Sequence, residues 1–122
     1  MLLQPKKTKF KKLFKGRIRG KAKNGYEIAF GRFGLKAMGS ERIKANQIEA
    51  SRKAINGYLK RSGKLWIRMF PHIPITKKPI EVRMGSGKGN VEFWVCKVKK
   101  GKIMFELDNV NEKDAIEAFK RA

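Results

Sequence analysis

Apolar residues recur along this chain with two periods, and the changes between them mark out its elements. From about Lys44 to Ser62, Ala45, Ile48, Ile55 and Leu59 return at three-, four- and seven-residue steps, the spacing that lines one face of an α-helix. Gly63 stands where a left-handed C-terminal cap would end it. A period of two follows: Leu65, Ile67 and Met69 alternate with Trp66, Arg68 and Phe70. Pro71, Pro74 and Pro79 punctuate a rigid turn region around Ile73-Pro74-Ile75, and Ile80 to Met84 alternates again with Glu81 and Arg83 outward. Val91 to Val98 is apolar on both faces, which predicts a central strand. Lys99-Lys100-Gly101-Lys102 reads as a turn, with Lys102 to Asp108 returning as a hairpin partner that points Ile103, Phe105 and Leu107 inward. Asn111, three residues before Asp114, reads as the N-cap of a last helix packing Ala115, Ile116 and Phe119. Near the start, Tyr26 to Phe30 reads as a short strand after the turn dipeptide Asn24-Gly25. This order predicts an α+β domain over residues 26–122, a mostly antiparallel sheet covered by two helices, with an extended basic N-terminal arm over residues 1–25.

Charge changes the picture most in that arm. The first 26 residues hold ten cations and no acid: Lys6, Lys7, Lys9, Lys11, Lys12, Lys15, Arg17, Arg19, Lys21 and Lys23. Phe10, Leu13, Phe14 and Ile18 lie between them. Such a segment cannot bury its charges and repels itself unless phosphates supply the counter-charge, so the first partner it implies is RNA. The whole chain of 122 residues has a net charge of +21. Residues 1–105 carry 28 basic and 5 acidic residues, a net of +23, whereas 106–122 carry 3 and 5, a net of −2. One end therefore suits a polyanion, and the other suits solvent or a basic neighbour. On the outer face of the long helix, Lys53 and Lys60, flanked by Arg52 and Arg61 and joined by Glu49, divide evenly between a solvated face and a phosphate contact.

Other classes are excluded or weakened. No apolar run approaches the ~18 residues of a membrane span, and Lys6 and Lys7 interrupt any signal-peptide core. Gln4-Pro5, Gly16 and Gly20 break the amphipathic helix that a transit peptide would need. The lone Cys96 excludes an internal disulfide and fits a reducing compartment.

The sharpest local feature is Val82-Arg-Met-Gly-Ser-Gly-Lys-Gly-Asn90, a glycine-rich loop at 83–90 between two strands. Its glycines free the backbone N–H groups to approach phosphates or base edges, and Arg83 and Lys88 fix positive charge at each end. It is not a P-loop, because Lys88 is followed by Gly89 and a strand, and its glycine spacing is not that of a dinucleotide-binding turn. Catalysis has little to stand on. His72 sits in a proline-rich turn, Cys96 falls in the most apolar strand, and Glu106 and Asp108 share an outer strand face as ordinary solvated carboxylates. The pattern implies no enzyme, no metal site and no cofactor or small-molecule substrate. Phe10, Phe14, Trp66 and Trp94 have rings that could stack on bases, but both tryptophans fit core packing equally well.

Several segments recur in one order: residues 3–10 (Leu-Gln-Pro-Lys-Lys-Thr-Lys-Phe), Phe30-Gly-Arg-Phe-Gly-Leu-Lys36, Gln47-Ile-Glu-Ala50, Gly63-Lys-Leu-Trp-Ile-Arg68, Pro74-Ile-Thr-Lys-Lys-Pro79 and the glycine loop. Together they resemble the bacterial and organellar form of large-subunit ribosomal protein sixteen, over essentially the whole chain. The resemblance implies an α/β-hammerhead-like fold bound to large-subunit rRNA, a basic arm threaded between rRNA helices, and a loop (Arg83, Met84, Gly85, Ser86, Gly87, Lys88) facing tRNA. It further implies neighbouring ribosomal proteins as partners, a part in shaping the aminoacyl-tRNA site, and a role in late subunit assembly. Two departures stand out: the family's usual basic segment after the last helix is missing past Arg121-Ala122, and Lys44 replaces the Thr cap of the long helix, leaving Gln47 without its capping-box partner.

The sequence therefore reads as an rRNA-binding constituent of the large subunit. The rRNA contacts expected are the ten arm cations named above together with Arg52, Lys53 and Lys60. An RNA chaperone or RNA-modifying protein using the same surface is the alternative, and a DNA-compacting protein a third. Lys outnumbers Arg 22 to 9, as an AT-rich coding sequence would give, and no targeting segment is seen. An organelle genome or an AT-rich bacterium fits both facts, and the shortened end favours a ribosome of the mitochondrial matrix over one of a bacterial cytoplasm or plastid.

Overall fold

A computed structural model describes residues 4–6, 18–77 and 90–122. Eight elements follow one another: β1 (Phe33–Lys36), β2 (Glu41–Lys44), α1 (Ala45–Tyr58), β3 (Lys64–Ile67), β4 (Ile73–Lys77), β5 (Asn90–Val98), β6 (Ile103–Asp108) and α2 (Glu112–Arg121). The α+β architecture expected from the periodicity is present, and every strand pair is antiparallel. The strands form two three-stranded sheets, ordered β1-β6-β3 and β2-β5-β4. β5 is central, as its two apolar faces predict.

The expected hairpin between β5 and β6 is corrected. Residues 99–102 carry the chain from one sheet to the other, and β5 and β6 do not pair with each other. Residues 37–40 make the reverse crossing, from β1 to β2, and the two crossings clasp each other. The Ala37 N–H donates to the Lys102 carbonyl at 2.8 Å, the Gly101 N–H to the Ala37 carbonyl at 2.8 Å, and the Lys100 N–H to Ser40 Oγ at 3.1 Å. Backbone partners from distant segments thus outcompete the local hairpin that turn chemistry favours.

Helix α1 forms where the apolar repeat places it, although it stops at Tyr58 rather than Ser62. Ile48 and Ile55 are fully buried, each contributing roughly 1.5–3 kcal/mol of transfer free energy. At its start Lys44 cannot accept a bond from the first turn, yet Gln47 Oε1 accepts the Lys44 N–H at 2.8 Å, so half of a capping box survives. Gly63 is not the cap. Leu59 ends the helix in an αR turn, and Lys60 (φ 51°) and Arg61 (φ 62°) take the left-handed positions. Gly63 is itself left-handed (φ 75°), in the turn that precedes β3. The core joins Ile48, Ile55 and Leu59 to Cys96 and Val98 of β5, Phe105 and Leu107 of β6, and Ala115 and Ala118 of α2. On α2, Ala118 takes the buried place expected of Ile116, which is 51% exposed.

Two further expectations are corrected. Ile73 to Ile75 belongs to β4, an edge strand, where Pro74 costs the ladder least. Tyr26 to Phe30 is not a strand, and the N–H groups of Ala29 and Phe30 are spent on the Glu106 side chain. The strand expected over Ile80–Met84 lies outside the described residues.

Candidate nucleic-acid interface

The cations expected at the end of α1 converge. Its last turns carry Arg52, Lys53, Asn56 and Gly57, and the chain then bends so that Lys60 and Arg61 return beside them around an open concavity of about 470 Å³. The bend places two consecutive non-glycine residues at positive φ, a conformation costing roughly 1–2 kcal/mol per residue. Strain of that kind persists only where the surroundings impose it, and it marks functional turns more often than plain ones. Arg52 is tied to Glu49, whose hydrogen bond lowers the carboxyl's pKa and raises that of the guanidinium. Among the described residues, Lys53, Lys60 and Arg61 have no ion pair. Gly57 leaves the rim bare, with nothing within 4 Å of where a Cβ would stand. The result is a cationic hollow with room for a phosphate-bearing chain.

The arm is described only in part. Lys6, Arg19, Lys21 and Lys23 are exposed. Lys7, Lys9, Lys11, Lys12, Lys15 and Arg17 lie outside the described residues, as does the loop Arg83, Met84, Gly85, Ser86, Gly87 and Lys88. Where the arm reaches the domain it is pinned. Lys21 bridges Lys100 in parallel, and the Ala22 N–H donates to the Lys100 carbonyl at 2.9 Å. This brings Lys23 beside Lys97, Lys99 and Lys102 around a second cavity of about 320 Å³. Sequence reasoning missed those three lysines by reading Lys97 as part of a strand and 99–102 as a plain turn, although four lysines between residues 97 and 102 were the available signal.

A different site anchors the segment just after the arm. Glu106, expected on a solvated strand face, is instead completely buried. Its Oε1 accepts three consecutive backbone N–H groups, from Ala29 at 3.0 Å, Phe30 at 2.9 Å and Gly31 at 3.1 Å. Its Oε2 accepts Nη1 of Arg68 at 3.0 Å, and that same nitrogen donates to the Glu27 carbonyl at 2.7 Å. Burial alone would push the Glu106 carboxyl up. The three N–H groups and the Arg68 charge together outweigh it and hold the pKa below its ordinary value. The Phe30 ring stacks on Trp66, centroids 6.1 Å apart, and Arg68 covers Phe30 at 5.4 Å. Trp66 is therefore engaged within the protein.

His72 is an exposed turn residue whose Nδ1 lies 3.1 Å from the Phe70 carbonyl, and Cys96 is a buried core residue. No group of His, Cys, Asp or Glu that could hold a metal occurs among the described residues, and none of the described helices is long and apolar enough to cross a membrane.

Comparison with known proteins gives the chain's relatives. A family profile described as ribosomal protein L16p/L10e matches residues 5–122. Proteins named large ribosomal subunit protein uL16 are similar throughout: that of Allorhizobium ampelinum is 59% identical over 119 residues, covering 98% of this chain and 87% of the relative. Those of Agrobacterium fabrum, at 58%, and Rhizobium meliloti, at 59%, match over the same shares.

Proposed function

Given that the chain belongs to the ribosomal protein L16p/L10e family, we propose that it binds large-subunit rRNA through its basic arm and the hollow at the end of α1. It is a protein of the large ribosomal subunit, with a structural role and not an enzymatic one. The observation that carries the rRNA reading is the convergence of Arg52, Lys53, Lys60 and Arg61, held in part by a strained turn. Phosphate contacts from these side chains position the protein, while counterion release along the arm supplies most of the affinity. The loop Arg83–Lys88 faces tRNA and helps to shape the aminoacyl-tRNA site, and the protein joins late in subunit assembly; both rest on the family resemblance. The RNA-chaperone alternative gains no support from the family. The relatives named are bacterial and give no support to a mitochondrial matrix location.

Binding of the full chain to a large-subunit rRNA transcript should weaken steeply with salt, by a log–log slope of roughly 0.7–0.9 per phosphate neutralised. A flat response would overturn the rRNA reading. Arg83→Ala should impair tRNA accommodation more than subunit incorporation, and equal loss of both would remove the loop's assigned role. The ribosome with which the protein co-purifies decides the compartment.

A further inference from the structure

The lysines around residues 97–102 line a cavity that shares no residue with the hollow at the end of α1. Lys21, Lys23, Lys97, Lys99, Lys100 and Lys102 come from two segments some 75 positions apart in sequence, joined by the Lys21–Lys100 bridge and the 320 Å³ cavity. No acidic residue lines that cavity, and among the described residues the ion pairs are Arg52–Glu49, Arg68–Glu106 and Arg121–Glu117, none of which includes these lysines.

The platform beneath them is rigid. Each backbone N–H from 100 to 103 has a partner: Ser40 Oγ at 3.1 Å, the Ala37 carbonyl at 2.8 Å, the Lys99 carbonyl at 3.1 Å and the Gly25 carbonyl at 2.7 Å. Gly101, at φ 98°, allows the turn that sets Lys100 and Lys102 on either side of it. Folding thus gathers Lys23, Lys97, Lys99 and Lys102 around one cavity, joins Lys21 and Lys100 to it through the backbone, and, among the described residues, gives none of them an ion pair. Mutual repulsion disfavours that arrangement in the free protein, and a chain of phosphates would relieve it. Lysine suits the task, because a flexible ammonium finds a phosphate oxygen without the fixed geometry a guanidinium demands.

We propose that this lysine platform is a second RNA-binding site, gripping the phosphodiester backbone of a strand distinct from the one held at the end of α1. The proposal rests on the rRNA reading and extends it to another face. The ligand is read by charge alone: the cavity offers Asn24 as its one uncharged polar side chain and no aromatic ring. Sequence-specific base contacts are not part of it.

The test compares the full chain with a variant carrying Lys97→Gln, Lys99→Gln, Lys100→Gln and Lys102→Gln, using a large-subunit rRNA transcript titrated with KCl. The slope of log affinity against log salt should become shallower by about 2–3, the loss of three or four phosphate contacts. A matching variant with Arg at the four positions should restore it, which a folding defect would not permit. Photocrosslinking from position 99 in assembled large subunits should yield a nucleotide adduct. An unchanged slope in the Gln variant, with the unaltered chain still steep, overturns this inference and spares the rRNA reading. A crosslink to an acidic protein segment overturns it as well. A flat slope in the unaltered chain removes the rRNA reading and this site together.

Discussion

Replacing Glu106 by Gln tests the anchor described above. The carboxylate accepts three N–H groups on one oxygen and Arg68 on the other, in a side chain wholly shut off from solvent. Hydrogen bonds to a charged group contribute about 1.5–3 kcal/mol each, and breaking a buried ion pair costs about 3–5 kcal/mol. Glutamine keeps an oxygen for the three donors but sets an NH2 against the Arg68 guanidinium, donor against donor. The expected loss is about 3 kcal/mol, which for a domain of this size lowers Tm by about 10–15 °C. Urea unfolding followed by Trp66 fluorescence in a Trp94→Phe background reads it locally, since Trp66 stacks on Phe30. The acid limb gives a second reading. Because the folded-state pKa of Glu106 lies below its ordinary value of 4.5, its contribution is complete above about pH 4.5. It is lost as pH falls through the lower folded value, and the Gln variant should lack that part of the acid transition. A variant within 0.5 kcal/mol of the unaltered protein, with the same acid limb, would refute the anchoring argument.

Gly31→Ala should destabilise by about 1–3 kcal/mol, because its Cβ would stand 2.6 Å from the Leu107 carbonyl oxygen and backbone cannot give way cheaply; thermal unfolding checks this. Gly63→Ala should cost at least as much, since φ is 75° there and the new Cβ would meet Val110 Cγ1 at 2.5 Å. The double change Lys60→Gly and Arg61→Gly should separate stability from binding. Relief of the left-handed strain offers up to about 1 kcal/mol per residue, while loss of two cations should reduce the rRNA salt slope by about 1.5.

Both helices were legible because burial on one side imposes a regular period, and the central place of β5 because both of its faces are apolar. What escaped was set by long-range partners. Glu106 sits in a strand whose inward residues alternate as expected, and nothing local shows that its outer face is roofed by residues 29–31, an irregular segment without period. The four-residue strands β1 and β2 were missed for a related reason: Gly34 interrupts the first, and the second, Glu41-Arg-Ile-Lys44, has a single apolar residue and so no alternation to detect. In the candidate interface, Arg52, Lys53 and Lys60 were found because the helical repeat sets them near one another, although Lys60 lies past the helix end at Tyr58. The lysines at 97, 99 and 102 gain meaning only when the arm folds back beside them.

Strand order has a consequence for biosynthesis. In each sheet the middle strand is made after both of its flanks: β6 completes a layer whose edges, β1 and β3, leave the translating ribosome first, and β5 does the same for β2 and β4. Until β5 and then β6 have emerged, the earlier strands of each sheet lack the ladder that satisfies them, so native structure arrives late and nearly at once. A nascent chain halted before β6 would carry open edges and a full load of positive charge, a combination that invites capture by whatever RNA is nearest.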